Sequence, residues 1–139
     1  MEMEYEGIGI RALSIILDSI ILSIFFFPLG YIYTGSFPFA VYGTNAFLIS
    51  TSTGLISLIY FVLLEGSLGQ TIGKMITGIK VVKTNGEPCD FKSSFIRNIL
   101  RIVDAIFAYI VGAVLIARSD KKQRFGDRIA DTTVINVIK

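Results

Sequence analysis

Two long apolar stretches dominate the first half of the chain. Residues 8–33 contain only two charged side chains, Arg11 and Asp18, and residues 46–64 contain none before Glu65 closes the run. A helix needs about 20 predominantly apolar residues to cross a bilayer. The pattern therefore predicts one transmembrane helix over residues 8–33 and a second over residues 46–64.

The pattern changes to that of short strands in the second half. GIKVVKT reads as a strand, and Asn85-Gly86 after it suits a two-residue hairpin turn, since both residues tolerate positive φ. The last residues, DTTVINVI, are β-branched and of strand length, so they are candidates to pair with GIKVV. We expect a small β-ribbon within a cytoplasmic loop over residues 66–92, and a basic tail over residues 118–139 with RSDKKQRFGDR as a turn or short helix.

Residues 95–117 form a third apolar segment with two alternative paths. Five basic residues lie in residues 74–97 and five in residues 118–128, and a single crossing would place them on opposite faces. The positive-inside rule and the pairing of the two strands both disfavour that arrangement. We favour a re-entrant or bent helical hairpin that breaks near residues 105–112. A single crossing is the simpler alternative. With the re-entrant path the N-terminus is expected in the cytoplasm.

Composition agrees with a membrane protein and excludes several kinds of chemistry. The 139 residues are 53% hydrophobic and 17% charged, with a mean hydropathy of +0.67, which is too apolar for one soluble domain. The chain has no histidine and one cysteine, so we expect no zinc or other metal site, no disulfide framework and no histidine-based catalysis. We predict a mainly α-helical, multi-pass membrane protein of the cell membrane that is not an enzyme, carries no cofactor and binds no nucleic acid. The acidic N-terminus lacks a cleavage site, so the chain is expected to be mature.

Two motifs repeat one spacing of charges, RALSIILD at residues 11–18 and RNILRIVD at residues 97–104. Asp18 would lie roughly 10 Å along the helix from Arg11, and an Asp at the centre of a membrane costs roughly 2.5 to 3.5 kcal/mol. One interpretation is a buried network of these charges that fixes helix register. The other is that Asp18 and Asp104 hold a cation or relay protons, with the pKa of both acids set by neighbouring arginines. The charge partners in either case are Arg11, Arg97 and Arg101.

Two further sets of side chains are candidates for binding. The second helix carries hydroxyl groups near one face that are suited to bind Na⁺, and these belong to Ser50, Thr53 and Ser57. Small residues in such positions more often form a packing surface between helices. The tail carries three cations that are suited to bind anionic lipid head groups, namely Lys121, Lys122 and Arg124. The alternative is that these charges only determine the topology of the chain, and one set of charges can do both.

Several motifs together resemble the RDD family of small membrane proteins. Arg11, Asp18 and Asp104 stand where that family has its name-giving residues, and GQTIGKMITGIKVVKTNGEP is similar to its glycine-rich segment and turn. FIRNILRIVD and KKQRFGDRIADTTVI resemble its closing motifs, with Asp131 where the family commonly has Gly. The resemblance covers nearly the whole chain. It implies the fold class, and for some members it implies cation/proton antiport.

Two functional hypotheses follow. The first is binding or exchange of Na⁺ or H⁺ through Asp18 and Asp104, by a chain small enough that it is expected to form a homo-oligomer. The second is a non-transporting membrane scaffold or assembly factor, whose buried charges are structural and whose cytoplasmic face binds a partner protein or anionic lipid.

Overall fold

The computed structural model describes residues 4–35, 43–102 and 110–137. Six helices and two strands lie in these ranges. They are α1 (Ile8–Thr34), α2 (Gly43–Leu68), α3 (Ile72–Thr77), β1 (Ile79–Lys83), α4 (Phe91–Ile99), α5 (Ile110–Ala117), α6 (Phe125–Ile129) and β2 (Thr132–Asn136).

The helices α1 and α2 are the two predicted spans. They have 27 and 26 residues, so each is about 40 Å long. Both are long and apolar enough to cross a membrane, and most of their apolar side chains point outward, as for Ile24 at 68% exposure and Phe47 at 70%. The prediction of two spanning helices is confirmed, with α2 extending several residues beyond the predicted 46–64 at each end.

A two-stranded antiparallel sheet lies where α1 begins and α2 ends. β1 pairs with β2 from Ile79 opposite Asn136 to Lys83 opposite Thr132, which confirms the predicted pairing of GIKVV with the last strand. The N-terminal residues cover the other edge of β2, where the Glu6 amide donates to the Val134 carbonyl at 2.9 Å. We call this end of the molecule the sheet side.

Alternate residues of the sheet form a small apolar core. Its buried members are Ile79, Val81, Val134 and Cys89, with Ile10 of α1 packed against them. Val81 also donates its amide to the carbonyl of Gly69 at 2.7 Å, so the end of α2 is fixed to the edge of β1. The core therefore holds the start of α1 and the end of α2 to the same sheet.

The turn after β1 differs from the predicted two-residue turn. The Gly86 amide donates to the Lys83 carbonyl at 2.9 Å, and the Lys83 amide donates to Glu87 at 2.8 Å. Gly86 has a φ of 89°, whereas Asn85 does not have positive φ. The loop is thus three residues long, with only its glycine left-handed, an arrangement that also matches the right-handed twist of the strands. The return strand is reduced to one bridge between Val82 and Pro88.

The third apolar segment contributes α4 and α5. Residues 103–109 lie outside the described residues, and most of the predicted break at 105–112 falls there. Because β1 precedes this segment and β2 follows it, their pairing returns the chain to the sheet side. The re-entrant path of residues 95–117 stays a prediction.

The position of Asp131 yields a test of backbone strain. Asp131 has a φ of 51° and its carbonyl accepts the Thr84 amide at 3.0 Å. We expect Asp131→Ala to be less stable than Asp131→Gly by about 1 kcal/mol, because only glycine adopts this conformation without steric cost. Both variants lose the carboxylate, so their difference isolates the backbone. Equal stabilities of the two variants would show that the backbone at Asp131 is not strained.

Unfolding is measurable through the single cysteine. Cys89 is buried at 4% exposure, and burial raises the pKa of its thiol to about 11. Because the thiolate is the reactive form, a maleimide dye at constant neutral pH will label Cys89 mainly when the protein unfolds. Heating in detergent with this dye therefore gives the unfolding curve for Asp131 and the other variants below.

Candidate functional site

Seven buried or nearly buried charges form one cluster at the sheet side, which we call the ion-pair cluster. Its two carboxylates come from α2 and α6, and its cations come from α1, α3, α4 and the segments beside α4 and α6. The members are Glu65, Asp127, Arg11, Lys74, Arg97, Arg101 and Arg124.

Asp127 is the carboxylate of the first half of the cluster. Its Oδ2 accepts from Arg11 Nη1 at 2.8 Å, and its Oδ1 lies 3.3 Å from Arg97 Nη2 and 3.4 Å from Arg124 Nε. The FGDRI sequence folds as the short helix α6, and Asp127 in its first turn also accepts the Arg124 amide at 3.3 Å. Asp127 therefore joins α6 to α1 and α4.

Glu65 is the carboxylate of the second half. Its contacts are an ion pair with Lys74 Nζ, Arg97 Nε at 3.1 Å, Arg101 Nη2 at 3.7 Å and a hydrogen bond from Asn98 Nδ2 at 2.9 Å. Arg97 contacts both carboxylates, so it connects the two halves. Glu65 therefore joins the end of α2 to α3 and α4.

The charges in this cluster offset the cost of burial. Burial alone would raise the pKa of Asp127, but Arg97, Arg124 and Arg11 outweigh it and hold the pKa of Asp127 well below its usual value. Burial lowers the pKa of Lys74 to about 8, against the opposing attraction of Glu65. Burial would also lower the pKa of Arg97, and the two carboxylates raise it instead. The cluster is thus held together by mutual attraction in a poorly solvated site.

Asp18 lies in a separate site between α1, α2 and α3. Its carboxylate accepts from the Thr71 hydroxyl at 2.6 Å, the Tyr60 hydroxyl at 2.7 Å and the Gly73 amide at 2.8 Å. Tyr60 in turn accepts the Ile72 amide at 3.2 Å. Within the described ranges Asp18 makes no ion pair, so it fixes the start of α3 to α1 through donors alone.

The three predicted charge partners contact carboxylates that the sequence did not assign to them. Arg11 contacts Asp127, 116 residues along the chain. Arg97 and Arg101 contact Glu65, and none of the three contacts Asp18 in the part of the chain described. Asp104 lies outside the described residues. The roles proposed for these residues stay predictions.

Sequence reasoning missed Glu65 and Asp127 as members of a site. Glu65 was recognised only as the residue that ends an apolar run, and Asp127 only as part of a family motif. A signal existed in each case. Glu65 is a lone acid at the end of an apolar span, and Asp127 lies between two arginines in QRFGDR. Either carboxylate needs a charged or hydrogen-bonding partner if it is buried.

The predicted hydroxyl ligands have mixed positions. Ser50 and Ser57 line a cavity of about 660 Å³ against α1, with Asn98 and Arg101 at one end. Thr53 instead donates to the Ile49 carbonyl at 2.8 Å. The described residues contain no group of three or more acidic, cysteine or histidine side chains able to hold a metal ion.

The predicted lipid-binding cations also divide into two groups. Lys121 and Lys122 are exposed, and Lys122 Nζ donates to the Tyr5 carbonyl at 2.7 Å. Arg124 is buried at 7% exposure against Asp127. Lys121 and Lys122 therefore lie on the surface of the tail, whereas Arg124 faces the interior.

The low pKa of Asp127 predicts an acid-dependent contribution to stability. A carboxylate whose pKa is lower in the folded state stabilises the fold above its unfolded pKa of about 3.8, and this contribution is lost as pH falls further. We expect the stability difference between the wild type and Asp127→Asn to be constant from pH 7 to 5 and to shrink below about pH 4. Circular dichroism melts at each pH measure it. A stability difference between the two proteins that grows below about pH 4 would contradict the lowered pKa of Asp127 in the folded protein.

Gly73 is a position where a single methyl group should disturb the Asp18 site. A Cβ there would collide with the Ser14 carbonyl and lie 2.8 Å from Cγ of Asp18. We expect Gly73→Ala to reduce the free energy of unfolding by about 1–3 kcal/mol. Gly54→Ala is the control, since nothing lies within 4 Å of its added Cβ. Equal melting temperatures for the two variants would show that α3 is not packed closely on α1.

Comparison with known proteins supports a membrane role. The sequence model of the RDD family matches residues 5–131. The chain is 35% identical over 106 residues to the uncharacterized membrane protein YteJ of Bacillus subtilis (strain 168), covering 74% of this chain and 58% of that protein. It is 32% identical over 74 residues to the proline-rich antigen homolog of Mycobacterium tuberculosis (strain ATCC 25618 / H37Rv), covering 52% of this chain and 30% of the relative. The chain thus spans less than two thirds of these curated relatives. No solved structure matches it.

Proposed function

This chain belongs to the RDD family and is a membrane protein, and from that premise we propose that it is a non-transporting membrane scaffold. Its ion-pair cluster and Asp18 site hold the helices in one arrangement, and its sheet side rests on anionic lipid. Lys121 and Lys122, two of the exposed cations of the tail, contact the lipid in this proposal.

The observation that carries this proposal is the set of groups around the three buried carboxylates. Asp18 accepts three hydrogen bonds, and Glu65 and Asp127 are each surrounded by cations from other elements. A Na⁺ site needs oxygen acceptors that point at the ion, whereas these oxygens face donors. Such an arrangement favours a structural role for the buried charges.

The proposed orientation places the sheet side in the cytoplasm. α1 starts and α2 ends at the sheet, so the basic residues of 74–97 and 118–128 lie on the same side as the N-terminus. The positive-inside rule assigns such a face to the cytoplasm. A re-entrant path for residues 95–117 fits this orientation, because the paired strands require an even number of crossings between them.

Reconstitution into proteoliposomes tests the scaffold. We expect no Na⁺-dependent change in an internal pH dye for the wild type. We expect Asp18→Asn to melt at a lower temperature in the Cys89 labelling assay, because an amide replaces one accepting oxygen with a donor that faces other donors. Flux in the wild type that Asp18→Asn abolishes without any loss of stability would overturn the proposal.

Exchange of Na⁺ and H⁺ is the second candidate function. The observation that favours it is the cavity between α1 and α2, which the hydroxyl-bearing Ser50 and Ser57 line within the predicted membrane. In this candidate Asp18 and Asp104 bind the ion, and a homo-oligomer completes the path. The same flux assay applied to Ser57→Ala and Asp104→Asn measures it. Wild-type flux that both substitutions reduce would favour exchange over the scaffold.

A further inference from the structure

The helix α4 distributes its side chains in the opposite way from a helix on the surface of a soluble protein. A surface helix in water buries its apolar face and exposes its polar face. α4 instead buries Ser94 and Arg97, and it exposes Phe91, Phe95 and Ile99. The three exposed side chains follow one another at a spacing of four residues, so they share one face. Such a helix is stable where its surroundings are apolar.

The short helix α3 has the same inverted pattern. It buries Gly73 and Lys74, and it exposes Ile72, Met75 and Ile76 on one face. This helix belongs to the segment that the sequence pattern assigned to a cytoplasmic loop. The loop therefore carries an apolar face that points away from the protein.

The contacts of α3 with α1 place it at the depth of the membrane. The Gly73 amide donates to Asp18 at 2.8 Å, and Asp18 lies about 15 Å along α1 from Ile8. A spanning helix about 40 Å long begins in the head-group region, because the hydrocarbon core is only about 30 Å thick. Asp18 is then roughly 10 Å inside the hydrocarbon, and α3 lies beside it.

The contacts of α4 with α2 give the same result. The Ser94 hydroxyl donates to the Val62 carbonyl at 3.0 Å, which is inside the predicted span of residues 46–64. Leu63 and Ile59 of α2 are 53% and 55% exposed. Outward-facing apolar side chains of α4 and α2 therefore lie at similar depths, and those of α2 belong to the lipid-facing surface of a spanning helix.

The start of α3 meets the requirement that hydrocarbon places on a backbone. The first amides of a helix have no partner within it, and such groups are costly where water is absent. Each of the first three amides of α3 donates to a side-chain oxygen. The pairs are Ile72 with Tyr60 at 3.2 Å, Gly73 with Asp18 at 2.8 Å and Lys74 with Thr71 at 3.3 Å. Side chains thus do what water does for an exposed helix.

We propose that α3 and α4 are immersed in the cytoplasmic leaflet and bind the acyl chains of membrane lipids through their outward faces. These faces consist of Ile72, Met75 and Ile76 on α3 and of Phe91, Phe95 and Ile99 on α4. The inference rests on the proposed function and deepens it, since the scaffold then contacts lipid hydrocarbon through two short helices as well as head groups through its exposed tail lysines. In this arrangement Asp18 stabilises the start of an immersed helix.

Single tryptophans test the immersion, because the chain has none of its own. Ile76→Trp on α3 and Phe95→Trp on α4 each place an indole on the proposed lipid face. The full chain is reconstituted into nanodiscs, where brominated acyl chains of phosphatidylcholine quench an indole from the hydrocarbon and iodide quenches it from water on either side. The fluorescence of each variant is measured with both quenchers.

Two further variants calibrate the measurement. Ile24→Trp marks the hydrocarbon, since Ile24 is 68% exposed on α1, and Glu87→Trp marks water, since the Glu87 side chain is 65% exposed in the turn after β1. We expect bromine to quench the indoles on α3 and α4 at least half as strongly as the one on α1. We expect iodide to quench them at least fivefold less than the one in the turn.

Two results would overturn the proposal. Iodide quenching of Ile76→Trp and Phe95→Trp as strong as that of Glu87→Trp would place α3 and α4 in water. Weak quenching by both iodide and bromine would mean that another copy of the chain covers these faces. Unfolding in the Cys89 assay shows whether each variant is folded, and Met75→Trp and Phe91→Trp provide a second probe on each face.

The flux assay separates this proposal from the scaffold function. Na⁺-dependent flux in the wild type would count against the scaffold without changing the quenching of any indole. Iodide access to α3 and α4 would overturn the immersion and leave an absence of flux unaffected. The failure of one proposal is therefore distinguishable from the failure of the other.

Discussion

Replacing Asp127 by Asn is expected to lower the free energy of unfolding by about 3–5 kcal/mol, a range typical when one partner of a buried ion pair is removed. Asp127 is fully buried and contacts Arg11, Arg97 and Arg124. Its loss leaves Arg11 and Arg124 without the carboxylate contact observed here. An amide of the same shape does not replace the charge and presents an amino group to these donors.

The expected result is a large fall in the Cys89 unfolding temperature at neutral pH. Asp120→Asn is the matched control, because Asp120 lies in the same tail and is exposed, and surface substitutions of this kind usually change stability by no more than about 0.5 kcal/mol. A similar small effect for both variants would mean that the contacts of Asp127 do not hold α6 to α1 and α4.

Glu65→Gln is expected to destabilise the protein by a similar amount, again about 3–5 kcal/mol. Glu65 is fully buried at the end of α2 and is contacted by Lys74, Arg97 and Arg101. Lys74 is the most affected partner, because burial already lowers its pKa to about 8 and Glu65 is what favours its charged form. Glu87→Gln is the control, since the Glu87 side chain is 65% exposed.

A double-mutant cycle separates the Glu65–Lys74 pair from the rest of the cluster. Lys74→Met removes the charge that Glu65→Gln leaves buried, so the double variant should be more stable than the sum of the single effects predicts. Coupling energies between contacting residues are about 0.5–3 kcal/mol. Strict additivity of the two substitutions would show that Lys74 and Glu65 do not interact in the folded protein.

Both predictions concern residues that connect elements distant in the sequence. Arg97 contacts Glu65 and Asp127 together, so α2, α4 and α6 meet at one side chain. At Asp127 the short helix α6 also contacts Arg11 at the start of α1. A protein with two long helices that expose most of their apolar surface has little core between its spans, and the charges at the sheet side supply contacts that the spans lack.

The sequence alone determined those features that depend on local patterns. The two spans follow from apolar length, because any helix that exposes such residues needs a hydrocarbon environment. The pairing of GIKVV with the last strand follows from β-branched composition and from the small number of strands available. These features were predicted correctly within a few residues, as α1 over Ile8–Thr34 shows.

Only the tertiary structure decided which charges meet. The equal spacing in RALSIILD and RNILRIVD suggested that Arg11 pairs with Asp104, which lies outside the described residues. The structure shows a pair that this spacing did not suggest, between Arg11 and Asp127 near the other end of the chain. Spacing reports which side chains share a face of one helix, whereas an ion pair depends on which other element packs against that face. The two carboxylates come from α6 and from the end of α2. The pairing of β1 with β2 brings these two elements close to the start of α1.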